Sequence, residues 1–166
     1  MSADAIGSAG RVRQVDVPAS VRERSTLTRI DYADTFLVDI GAAQVTAEQC
    51  AREVLEGAPL AIRTQLLSGW SSIGLKISKD SPPHSVLGWP VRQNTPDFIL
   101  LGADSRIGMP GELMFSKDGD TLLFASLVRH GNLLARAVWA MIEPAHVRMV
   151  RHILDHAGRR LSSGTA

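Results

Sequence analysis

The sequence predicts an α+β domain in which an antiparallel β-sheet wraps around a long C-terminal α-helix, with a helix pair after the first strand. Three observations predict it. One apolar stripe at helical spacing runs from Leu134 to Leu161. Four short β-prone runs follow one another between Val86 and Val128, joined by turns, as in an antiparallel meander. Two helical patterns separate this meander from an earlier β-prone run around residues 29–40.

The first strand is predicted from Ile30, Tyr32, Phe36, Val38 and Ile40, mostly on alternate positions, with Gly41 ending it. Thr46 then opens a helix. Gln49 stands three residues on, as a capping box requires, and Cys50, Ala51, Val54 and Leu55 mark one face before Gly57. A second helix follows Pro59, carries Leu60, Ile62, Leu66, Leu67 and Trp70, and runs out near Gly74. Residues 76–85 read as a loop because of Pro82-Pro83.

The four β-runs are Val86–Gln93, Phe98–Ala103, Glu112–Ser116 and Thr121–Val128. Asp118-Gly119 is the strongest hairpin signal among them. Asn132 can cap the final helix. Leu134, Val138, Met141, Ile142, Ala145, Met149, Val150, Ile153, Leu154, Ala157 and Leu161 form its stripe. Pro144 lies inside. Because the stripe keeps phase across it, a bend is predicted there and not a break.

The expected boundaries are a leader over 1–26, one domain over 27–161 and a tail over 162–166. Val12, Val15 and Val17 alternate and can add an edge strand. Otherwise the sheet reads as short of seven strands, with 74–80 a second source.

The bulk numbers exclude several classes. Lys+Arg total 18 and Asp+Glu 17, a balance that argues against a nucleic-acid partner. Cys50 is the single cysteine, so no intrachain disulfide forms, which suits a reducing compartment. The most apolar window, Leu133–Ile142, is interrupted by Arg136 and is far shorter than the roughly 20 residues of a membrane span. The start is not a secretory signal, and a cytoplasmic location is expected.

Three segments carry a resemblance: Trp70 to Leu75, Val86-Leu87-Gly88-Trp89, and Arg136-Ala137-Val138-Trp139 running into Pro144-Ala145-His146. With the element order, they resemble the START-like, or SRPBCC, superfamily and its helix-grip fold. The closer likeness is to a bacterial domain family of unknown function within it, and it covers about 30–161. The superfamily resemblance implies a cavity for a small hydrophobic molecule, lipid or polyketide-like, between sheet and final helix.

The residues expected to meet such a ligand are Trp70, Trp89, Arg92, Leu101, Asp104, Arg106, Phe115, Phe124 and Met141. The tryptophans can line a pocket or fill a core, and Trp139 reads more readily as core. Arg92, Asp104, Arg106 and Glu112 anchor a polar group or act as an acid/base pair if they point inward; otherwise they sit at strand ends. His146 is read as satisfying a carbonyl freed by Pro144. His152 and His156 lie four apart on one helix but lack a third ligand, so neither a metal nor a cofactor is expected. No Gly-x-Ser-x-Gly or phosphate loop occurs.

The leading expectation is a non-catalytic carrier. The alternatives are a cyclase- or hydrolase-type enzyme using an inward carboxylate or histidine among Asp104, Glu112 and His130, and an interaction module that binds another chain.

Overall fold

The computed structural model describes residues 11–78 and 84–164. In chain order they form β1 (Val12–Val15), α1 (Ala19–Arg24), β2 (Tyr32–Asp39), α2 (Ala47–Leu55) and α3 (Leu60–Ser72). Then come β3 (Ser85–Val86), β4 (Trp89–Thr95), β5 (Phe98–Ala103), β6 (Gly111–Asp118), β7 (Thr121–Val128) and α4 (Leu133–Ser163). The strands make one antiparallel sheet in the order β1-β2-β7-β6-β5-β4-β3. The architecture is thus α+β, with a long C-terminal helix on a seven-stranded sheet and a helix pair in the first long connection.

Local chemistry sets the ends of these elements. Thr46 and Gln49 close a reciprocal capping box on α2. The Asn132 side chain accepts from the amide of Ala135, and its amide donates to the Ile107 carbonyl. Gly119, at positive φ, makes the β6–β7 hairpin.

Strand alternation sorts the sheet into two faces. The inner face carries Phe36, Val38, Ile99, Leu101, Phe115, Leu122 and Phe124. It is covered by α2, through Cys50, Ala51 and Val54, and by the C-terminal half of α4, through Val150, Ile153, Leu154 and Ala157. Small residues bring the helices close: a methyl group on Gly158 would meet Val38 at 2.9 Å. The outer face carries Leu100, Met114, Ala125 and Leu127, covered by Val17, Val21, Leu27 and Ile30.

Several expectations change. The expected leader is in part built into the fold, since β1 pairs with β2 along the sheet edge and α1 helps to seal the outer face. The run Val86–Gln93 is two strands, β3 and β4, turned over at Leu87-Gly88 with φ of 45° and 87°. Positive φ at both central residues matches a two-residue hairpin, but leucine at the first is not a residue that announces one. Leu75 adds an isolated bridge to Ser105, while part of 76–85 lies outside the described residues. The final helix runs unbroken through Pro144. Its N-terminal half is not buried along the predicted stripe, however. Only Ala135 and Trp139 are buried there, and Leu133, Leu134 and Met141 are exposed. Of α3, only Leu66 is buried. The two helices therefore stand apart over the inner face, and a cleft opens between them.

Candidate functional site

The cleft has a volume of about 290 Å³. Its walls are Leu66 and Trp70 from α3, Ile73 just after it, and Ile142, Met149 and Val150 from α4, over a floor of Leu113 and Phe124. Gly69 stands in the middle of the α3 wall, and a methyl group there would meet nothing within 4 Å. Beyond it lies a second chamber of about 50 Å³, which shares Trp70, Ile73, Leu113, Trp139 and His146 with the cleft. Trp89, Met109 and Ser126 complete much of its wall. A methyl group at Gly111 would lie in ordinary contact with the Trp89 ring, at 3.5 Å.

A buried polar group lies at the junction of the sheet and α4. Tyr32, Asp34, Phe36 and Val38 alternate onto the inner face, so β2 places a carboxylate where its neighbours are apolar. Asp34 is only 2% exposed and accepts three hydrogen bonds. The Ser126 amide donates to Oδ1 at 3.1 Å, and the Tyr32 hydroxyl donates to Oδ2 at 2.6 Å. His146 Nε2 reaches Oδ2 at 3.0 Å. A carboxylate only accepts, so Nε2 is the donor in this contact. Burial, and then the Asp34 carboxylate, hold the Tyr32 phenol far above its ordinary pKa, so it stays a donor. Trp139 packs against both rings, with centroids 4.8 Å from Tyr32 and 5.0 Å from His146.

Trp70, Trp89 and Phe124 line these spaces, and Trp70 and Trp89 meet edge to face at 5.4 Å. Leu101 and Phe115 point to the same face but are packed in the core beneath α2. Met141 is on the exposed side of α4, at 82% exposure, because the helix turns Ile142 and Ala145 to the cleft instead. Arg106 is exposed beyond β5, and His130 lies in the turn after β7.

Arg92, Asp104 and Glu112 belong to the opposite side of the sheet. A β-bulge between Val91 and Gln93 directs Arg92 across Gly102, where a methyl group would fall 2.3 Å from its guanidinium. Arg92 Nη1 stands 3.3 Å from the fully buried Glu112 carboxylate, and Nη2 stands 3.6 Å from Asp104. Glu112 also accepts from Ser25 Oγ and from the amide and hydroxyl of Thr26. This cluster clasps the N-terminal segment to the outer face and has no access to the cleft.

His146 does not serve a carbonyl at the Pro144 turn; it bridges α4 to β2. Nothing in the local sequence marks Asp34, Tyr32 and Ser126 as members of a site except strand parity, since Asp34 falls in phase with Phe36 and Val38. Among the described residues there is no cluster of three or more His, Cys, Asp or Glu able to hold a metal ion, and no helix is long and apolar enough to cross a membrane. No protein-family model matches the chain, and no curated protein matches it.

Proposed function

We propose that this protein binds a small, predominantly apolar molecule between α3, α4 and the inner face of the sheet. The observation that carries the reading is the cleft of about 290 Å³, lined by Leu66, Trp70, Phe124, Ile142 and Met149. Ligand sites are commonly concave and apolar, with a few placed polar groups. Here those groups are at the inner end, around His146 and Asp34. The START-like resemblance implies the same class of ligand.

Gly69 supplies the test. A β-carbon at Gly69 meets nothing within 4 Å, so Gly69→Leu is designed to add bulk to this wall of the cleft. An apolar naphthalene dye should bind the wild type with saturable fluorescence enhancement, and Gly69→Leu should weaken it at least tenfold while remaining folded. Undiminished binding to the filled cleft would defeat the reading.

A second reading, proton-transfer catalysis by an enzyme of the cyclase or hydrolase type, is favoured by the His146–Asp34 pair. The carboxylate orients the imidazole through Nε2, and the ring lines both chambers. A turnover found for the protein and lost in His146→Gln, with dye affinity retained, would select this reading over a carrier.

A further inference from the structure

Three side chains on the wall of the small chamber each carry a polar atom with no hydrogen-bond partner among the described residues. These atoms are Trp89 Nε1, Trp139 Nε1 and Ser126 Oγ, all buried. Their residues are 2%, 6% and 1% exposed, and all three line this chamber. A buried polar group left unsatisfied costs roughly 1–3 kcal/mol, so three around one space are a strong demand for an acceptor. Two of the three can only donate, and the hydroxyl can donate as well.

We infer that the chamber receives the carbonyl oxygen of a neutral, otherwise apolar ligand, of the ketone, aldehyde or ester class. The inference rests on the binding reading and specifies which end of the ligand enters first. An sp² oxygen offers two lone pairs, which suits the two indole N–H groups, with Ser126 as a further donor. The volume of about 50 Å³ accommodates a group of that size but not the ligand body, which is left to the apolar cleft.

Charge selects neutral over anionic acceptors. No lysine or arginine lines the chamber, and its one imidazole is already engaged with Asp34. A ligand carboxylate would be buried beside a second carboxylate with no free cation, a costly arrangement. A hydrocarbon would fill the cleft but leave the three polar atoms as they are.

The test uses the indole N–H resonances of the full ¹⁵N-labelled chain, which has only three tryptophans. They are assigned from single Trp→Phe variants and titrated with 2-nonanone, nonane and nonanoate. The ketone should move the Trp89 and Trp139 indole protons downfield and leave the partly exposed Trp70 little changed. Nonane should not produce this pattern, and nonanoate at pH 8 should bind at least tenfold more weakly than the ketone.

Removing one neutral hydrogen bond, by Trp89→Phe, Trp139→Phe or Ser126→Ala, should weaken the ketone about fivefold and leave nonane unaffected. Ser126→Ala keeps the test intact should a tryptophan variant not fold. Equal indole shifts with ketone and nonane, or a preference for nonanoate, would overturn the inference. Indole signals unmoved while the ketone displaces the dye would show a chamber holding water only, and would overturn it while leaving the binding reading standing. If neither dye nor ketone binds, both fall together.

Discussion

His146 on α4 and Asp34 on β2 are 112 residues apart in sequence and meet with Nε2 3.0 Å from Oδ2. The contact ties the less buried half of the long helix to the sheet. Removing the carboxylate also strands the Tyr32 hydroxyl and the Ser126 amide. Asp34→Ala should therefore lower stability by about 2–4 kcal/mol, and Asp34→Asn, which keeps an acceptor oxygen, by about half as much. Urea unfolding followed by tryptophan fluorescence measures both. Equal costs for the two variants would mean that charge, and not the accepted hydrogen bonds, governs the site.

Gly69 lies inside α3 with open space on its side-chain side. Gly69→Ala should raise stability by about 0.5–1 kcal/mol, the ordinary gain for alanine over glycine within a helix. Thermal unfolding reads this directly. A loss of stability would show that a neighbour does close on this position.

Gly102 has the opposite surroundings, because the Arg92 guanidinium lies where its β-carbon would be. Gly102→Ala should cost about 1–3 kcal/mol by forcing Arg92 from Glu112. In an Arg92→Ala background the same substitution should cost much less. Additive effects in this double-mutant cycle would contradict the coupling.

Cys50 is fully buried in α2, and burial pushes its thiol up to about 11. Its neutral form is the one the fold accommodates. The stabilisation is complete below the thiol's unfolded pKa of about 8.5 and is lost as pH rises through the folded value, because the unfolded chain releases its proton first. The wild type should accordingly lose stability relative to Cys50→Ala between about pH 9 and pH 11. At pH 8 the native thiol should resist Ellman's reagent until urea is added. Rapid labelling of native protein would refute this.

Elements specified by near neighbours were legible in the sequence. The Thr46–Gln49 box, the Asp118-Gly119 turn and the Asn132 cap each depend on residues within a few positions, and each occurs where it was expected. Features that depend on distant partners were not. Val17 and Val21 look like part of a sparse leader, and Ile30 like the start of a strand, until the outer face of the sheet supplies something for them to cover. Trp70, Trp89 and Phe124 line the two spaces. Arg92 and Asp104 take the strand-end and outward positions that the pattern left open, Arg92 by alternation with Trp89 and Val91 and Asp104 just past the end of β5. The His146–Asp34 contact needed the register of β2 against β7 and the phase of α4 together.

The strand order has a consequence for how the chain reaches this state. β4–β5, β5–β6 and β6–β7 join sequential neighbours, whereas β2 meets β7 only by closing a loop from Phe36 to Phe124. Local pairings form before distant ones because a long loop must sacrifice chain entropy before any contact repays it. The meander should hence assemble early, with β2 docking late. Destabilising substitutions in the β6–β7 hairpin should mainly slow folding, and those at Phe36 should mainly speed unfolding. Since β2 also delivers Asp34, the polar end of the cleft would be the last part of the molecule to acquire its shape.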